Sequence, residues 1–440
     1  MTMTLRAFKY LKFGLILFIL LATYDGLIRK YLLNDYEQIV FIFKDVLLLI
    51  LFIFFFKYRK YSFAYYPKII RFTIALYILW VFIEIFNLNA PNIFVGIWGF
   101  KTHVLYISMI ILIPLLFSNI KAMILKCSKL IPFLIIPSSL LAIYQLKFSG
   151  DSIINQAVRG GEESIAYFGD VTSLGNSLVR ASGPFSYITG LTAFQNFMLL
   201  FSIFLLIFNS KKNFLIVSVI LLFLSLPVSG SRSIIVINSI FLLTSFLLLI
   251  SNRYTKKIGW FFIFFLLIII SASLYFSSEF WLALLSRTNS IDNFDNNRFF
   301  TIFTNTFDMF LISGPFGFGS GTANYGAAAF VPPSEVMGMH FSWIPVYFEE
   351  ESGRIVLELG IIGWFISIIL RVAMLVWAIL LFLRVRSSEL KFIGILGINF
   401  MALGFWQGNG VFSPPYMAFG YWFIVALMGI AEYQYRIMKT

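Results

Sequence analysis

The sequence predicts an all-α polytopic membrane protein: a bundle of about twelve transmembrane helices forming one integral domain over residues 1–440. Three observations predict it. The chain is 60% hydrophobic and 12% charged, with a mean hydropathy of +0.90, whereas about a quarter of the residues in soluble domains are charged. Apolar runs near or above the roughly 18–20 residues needed to cross a bilayer recur along the chain. The short connections between them are alternately basic and non-basic. Lipid leaves no uncovered backbone polar group, so runs of this kind are helices packed on one another.

The first run, FGLILFILLA, follows Arg6, Lys9 and Lys12. Secretory leaders open similarly, but no small-x-small cleavage site follows, so the run is read as a first span at 11–25. Further spans are expected near 37–56, 70–88, 103–119, 130–146, 186–208, 213–229, 232–251, 258–276, 354–384, 390–407 and 416–435. No internal repeat is evident.

Charge predicts the orientation. Lys57, Arg59, Lys60, Lys68 and Arg71 fall in one connection, Lys121, Lys126 and Lys129 in another, and Lys211 and Lys212 in a third. Arg253, Lys256 and Lys257, then Arg384, Arg386 and Lys391, fall on the same side, as do both chain ends. Positive residues are retained on the cytoplasmic side, so both termini are expected there. This bias accounts for most of the net charge of +13 and gives no reason to expect nucleic acid. The two long loops, about 147–185 and 277–353, are expected on the outer face. The second carries a probable amphipathic segment, RFFTIFTNTFDMF, and so contains short helices. No cytoplasmic segment is long enough to be a soluble domain. An enzyme working on the outer face has no access to nucleotide sugars and must use an activated, membrane-borne donor.

One cysteine, Cys127, excludes an intramolecular disulfide, and two histidines, His103 and His340, are too few for a His-rich metal site. No metal or cofactor is expected. SGPFGFGSGTANYG (313–326) contains a GxGxG pattern but follows no strand and has no P-loop lysine, so it is read as a flexible loop covering a groove.

Four arginines depart from the cytoplasmic bias: Arg180 in VRASGPFSYITG, Arg232 in VSGSRSIIV, Arg298 in DNNRFFTIF, and Arg354 after a triple glutamate. Each falls at the expected outer boundary. The guanidinium fork matches phosphate oxygens, so together they suit a diphosphate; singly, each also reads as an interfacial anchor. Arg29 and Lys101 are candidate supporting cations. In EEESGRIVLELG (349–360), Glu350, Arg354 and Glu358 share a helical face and Glu351 lies one turn before Arg354. Two readings stand: an ion-pair ladder that makes Glu358 tolerable in the membrane, or a general base among Glu349, Glu350 and Glu351 whose acidic neighbours raise its proton affinity. Lys44 and Asp45 are adjacent, point about 100° apart on a helix, and are expected to pair with neighbouring helices. His340, in MGMHFSW, is read as structural.

DGLIRK, VRASGPFSYITG, SGSRS, NRFFTIF followed by PFGFGSG, and ESGRIVLELGIIG occur in that order over most of the chain. Together they resemble the O-antigen ligase and Wzy-type polysaccharide polymerase superfamily of bacterial envelope enzymes. The resemblance implies a GT-C-like, metal-independent, inverting glycosyltransferase in the cytoplasmic (inner) membrane. It would use an undecaprenyl-diphosphate-linked glycan as donor, with membrane lipid around it and a flippase or chain-length regulator as partner. Arg232 and Arg298 match the family's arginines. The ligases place a histidine eleven positions before a Gly-x-x-Gly; here Gly360 and Gly363 put Glu349 at that position, and His340 lies nine residues too early. A polymerase is therefore favoured over a ligase. A transporter or flippase of lipid-linked saccharides is the alternative, and a shape-elongation peptidoglycan polymerase shares the topology and donor without a clear motif match.

Overall fold

The structure is a computed structural model that describes residues 5–149, 152–155, 179–209, 213–250, 267, 306–337, 340–344, 351–405 and 415–439. Glu349, Glu350, Arg298 and, apart from Leu267, the expected span at 258–276 lie outside the described residues, as do the side chains of Arg232 and His340.

The described chain is a helical bundle. Its helices are α1 (Leu5–Leu27, extended by a π-turn Ile28–Leu32), α2 (Glu37–Phe55), α3 (Arg59–Phe63), α4 (Lys68–Ile83) and α5 (Ile93–Val104). They continue as α6 (Met109–Leu116), α7 (Ile120–Gln145), α8 (Ile188–Phe208), α9 (Asn213–Ser225) and α10 (Arg232–Ile250). The last three are α11 (Glu351–Arg384), α12 (Ser388–Leu403) and α13 (Pro415–Lys439). A two-residue hairpin, β1 (Val336–Met337) and β2 (His340–Phe341), pairs antiparallel in the large loop. Among the described residues eight helical segments are long and apolar enough to cross a bilayer, and 213–229 and 234–250 are shorter apolar helices. The molecule is a multi-pass membrane protein.

Two helices form the centre. The most apolar part of α13 is 94% buried and that of α8 is 83% buried, against 33% for α2. α2 instead presents Ile39, Phe43, Ile50, Ile53 and Phe54 outward, as a lipid-facing helix does. The rings of Phe197 and Phe201 on α8 meet Phe419 and Phe423 on α13 edge-on, and Phe204 stacks on Phe392 of α12.

Side-chain caps extend two helices beyond the expected spans. Asn92 accepts from the amides of Phe94 and Val95, starting α5 at Ile93 rather than near 103. Asn119 accepts from Ala122, starting α7 at Ile120 rather than near 130. An N-cap oxygen satisfies amides that have no helical partner. Prolines inside helices free carbonyls four residues back, and tyrosines take two of these. Pro114 frees Ile110 O, which accepts from Tyr66 Oη at 2.9 Å. Pro137 frees Phe133 O, which accepts from Tyr24 Oη at 2.7 Å.

The bundle has two ends. At the basic end Arg436 reaches Ala64 O and Gln434 caps the amide of Ile120. At the other, here the loop end, the described parts of both long loops dock. Ala181 bonds Val228, Ser320 bonds Glu84, and Asn92 bonds Phe330.

The expected single span at 354–384 is corrected by Gly360, whose φ of 68° and ψ of −177° break α11 into arms 351–359 and 361–384. The segment 313–318 is inserted at the break. Phe318 N–H donates to Leu357 O, and the amides of Ile361 and Ile362 donate to Gly314 and Pro315. A Cβ on Gly360 would lie 2.1 Å from Pro315 O, and positive φ disfavours any side chain there. The glycine-rich stretch is thus a bonded insert: Ser320 and Thr322 are fully buried, and Asn87 and Asn89 donate to Gly317 O.

Candidate functional site

Among the described residues, two groups of charged side chains stand out. The first surrounds residues 180–186 at the loop end. Gly183, at φ 58°, donates its amide to Gln145 Oε1 of α7, which holds this loop. Gly26 of α1 packs so closely that a Cβ there would lie 2.3 Å from Ser186 N. The next residues of α1 then reach the loop. Arg29 Nη1 donates to Ser186 Oγ at 2.8 Å and Lys30 Nζ donates to Ser182 Oγ at 2.7 Å. Arg180 Nε donates to Ser229 O at 2.9 Å. Ser229 is followed by Gly230, in the left-handed region, and Ser231, after which α10 begins at Arg232. Segments far apart in sequence therefore bring Arg29, Lys30 and Arg180 together beside the start of α10. Glu37 Oε2 lies 3.9 Å from Arg29 Nη2.

The second group is a belt of buried ion pairs linking α1, α2, α5 and α11. Lys44 pairs with Asp25 of α1. Asp45 pairs with Lys101 of α5 at 2.5 Å and accepts from Tyr106 Oη. His103, two residues after Lys101, points to the other side of α5. Its Nε2 lies 2.6 Å from Glu358 Oε2, and its Nδ1 lies 2.9 Å from Tyr77 Oη of α4. Both ring nitrogens of His103 are thus hydrogen-bonded, one to the carboxylate and one to the tyrosine. Glu358 Oε1 is 3.9 Å from Arg354 Nε, and Arg354 Nη2 is 3.7 Å from Glu351 Oε1. Glu351 Oε2 accepts from Arg371 Nη2 at 3.0 Å, and Arg371 Nη1 donates to Gly404 O. The carboxylates of the belt are Asp25, Asp45, Glu351 and Glu358, and its Lys and Arg cations are Lys44, Lys101, Arg354 and Arg371. Burial of charge in a membrane demands such pairing.

Arg29 and Arg180 thus both lie at the loop end, bonded to Ser186 and Ser229, and Arg232 follows Arg180's acceptor by three residues. Arg354 belongs to the other group and is flanked by two carboxylates, as the ladder spacing expects. Lys101 and His103 face Asp45 and Glu358 rather than the loop-end cations. Lys44 and Asp45 do pair with different helices. His340 opens β2, its backbone paired with Met337. Reading the chain by residue type did not single out Lys30 as a binding group, nor Tyr77 and Arg371 as partners in the belt. The signal available was the rule that a mid-span cation needs a counter-charge.

An apolar groove of about 700 Å³ runs between α2, α4 and α5, walled by Leu49, Phe52, Ile78 and Ile97 and bordered by Asp45 and Lys101. No family model, curated protein or solved structure matches the chain.

Proposed function

We propose that the protein is a GT-C-like membrane glycosyltransferase working on the outer face of the bacterial cytoplasmic membrane, with both termini cytoplasmic. It transfers or polymerises an oligosaccharide carried on undecaprenyl diphosphate, and the polymerase reading is preferred. The observation that carries this is the placement of Arg29, Lys30 and Arg180 around one loop, each bonded to it or to the turn beside it. Three cations at a membrane boundary suit a multiply charged anion, and the bundle offers an apolar groove suited to an isoprenoid chain.

In this reading the diphosphate leaves with its charge held by Arg180, Arg232 and Arg298. An acceptor hydroxyl loses its proton to a carboxylate of the 349–351 stretch and attacks the anomeric carbon. Glu349 and Glu350 are the preferred bases, because Glu351 is held by Arg371 and Arg354. Arg354 acts by shaping this segment. Purified protein given a lipid-linked oligosaccharide should lengthen it, and Arg180→Ala or Arg232→Ala should stop this. Unchanged product length in both variants would overturn the proposal.

A transporter of lipid-linked saccharides is the second reading. The buried belt from Asp25 to Arg371 favours it, since moving a charged headgroup through a bundle uses ionisable groups at depth. Elongation by purified protein in detergent excludes pure transport.

A further inference from the structure

We infer that Lys30 is a phosphate-binding residue, its ammonium directed at a phosphoryl group of a polyprenyl diphosphate held at the 180–186 loop. The inference rests on the reading of the protein as acting on a lipid-linked diphosphate, and deepens it by naming a contact residue outside the four outer arginines.

Lys30 is 4% exposed. Most deeply buried charges here have an opposite charge: Lys44 has Asp25, Lys101 has Asp45, and Arg371 has Glu351. Among the described residues Lys30 has no carboxylate within salt-bridge distance. Its described acceptor is the hydroxyl of Ser182, a neutral group. An ammonium carries three N–H donors, and Ser182 takes one. Beside it stands Arg29, a second cation, whose own carboxylate neighbour Glu37 is 3.9 Å away. A buried cation next to another cation, with donors to spare, is costly unless an anion completes it. A phosphoryl group supplies the charge and several acceptor oxygens.

The setting is rigid. Gln145 fixes Gly183, and Gly26 brings α1 into backbone contact with Pro184–Ser186. The position of Lys30 is therefore prepaid by packing, which is how binding sites reduce the entropy lost on association. Arg180 lies at the other end of the same loop, its Nε bonded to Ser229 O.

The test compares wild-type protein, Lys30→Met and Lys30→Arg, each full-length in nanodiscs. Affinity is read for a long-chain polyprenyl diphosphate and for inorganic pyrophosphate, in discs with and without phosphatidylglycerol, and the melting temperature is read without added ligand. Lys30→Met should bind polyprenyl diphosphate about 10- to 100-fold more weakly and melt no lower than wild type. Lys30→Arg should stay within several-fold of wild type. Wild-type affinity in Lys30→Met, or a lower melting temperature with affinity kept, makes Lys30 a structural clamp for Ser182 and overturns the inference; so does failure of Lys30→Met to fold. A Lys30-dependent response to pyrophosphate alone, or to phosphatidylglycerol alone, assigns the site to a free phosphate or a bulk headgroup and overturns the lipid-diphosphate assignment. Binding through Lys30 without elongation of any lipid-linked glycan rejects the transferase reading and keeps the site. Elongation with Lys30-independent binding does the reverse.

Discussion

Arg371 Nη2 lies 3.0 Å from Glu351 Oε2, although twenty residues separate them on what is nominally one helix. An unbroken helix would put them about 30 Å apart, at 1.5 Å per residue. The contact is therefore a measure of how sharply the chain folds back at Gly360. Trp364 Nε1 donating to Ser352 Oγ at 2.8 Å makes the same point twelve residues apart. The described part of the charged stretch, 351–359, is thus a short helix laid against a span, and its Glu351 faces that span's arginine.

Separating Glu351 from its neighbours follows from this geometry. Glu351→Gln leaves Arg371 buried with a weaker partner, and breaking a buried pair costs about 3–5 kcal/mol. Its melting temperature in detergent should fall by several degrees. Glu349→Gln and Glu350→Gln should lower elongation of a lipid-linked oligosaccharide while leaving the melting temperature within a degree or two. A stable Glu351→Gln would remove the structural role assigned here.

The fold-back itself predicts a graded glycine series. Gly314 and Gly360 both have positive φ, 61° and 68°. A Cβ on Gly314 meets nothing within 4 Å, so Gly314→Ala carries the backbone strain alone, about 1–2 kcal/mol. Gly360→Ala adds a 2.1 Å collision with Pro315 O and should abolish folded expression. Equal expression of the two variants would contradict the inserted loop.

How much of this was legible in the sequence depends on what each pattern reports. Hydropathy reports contact with lipid, so α2, largely lipid-facing, was placed within a residue of its start. It misplaced the start of α5 because NIFVGIWGFKTH has Gly, Lys and His facing protein, and the Asn92 cap starts the helix ten residues early. Arg180 was singled out because arginine there opposes the usual charge bias, and Arg29 because it sits at the expected interface in YDGLIRKYL. The partnership of Glu351 with Arg371 was hidden because it exists only once Gly360 folds the helix back. The His103–Glu358 contact joins residues 255 positions apart, and one sequence carries no signal for such a pairing.

The belt predicts an ordering of losses around His103. His103→Ala removes the nearest partner of a 1%-exposed carboxylate, at a cost of about 3–5 kcal/mol. Tyr77→Phe removes the hydroxyl bonded to the ring nitrogen, at about 1–3 kcal/mol. Thermal unfolding in detergent should therefore rank wild type above Tyr77→Phe, and Tyr77→Phe above His103→Ala. The reverse order would mean that Tyr77 does not hold the histidine.

The pairing of tyrosine hydroxyls with carbonyls freed by proline gives the most direct test of the packing. Tyr24 Oη donates to Phe133 O, which has no helical donor because residue 137 is proline. Tyr24→Phe should cost about 1–3 kcal/mol, since it leaves that carbonyl uncovered away from water. In a Pro137→Ala background the amide of residue 137 can bond Phe133 O within the helix, and the same tyrosine substitution should cost much less. The double-mutant cycle should therefore show a coupling of about 1 kcal/mol or more between Tyr24 and Pro137. Tyr66 and Pro114, joined through Ile110 O at 2.9 Å, should behave in the same way. Additive effects in both pairs would mean that the hydroxyls do not replace the missing helix bonds.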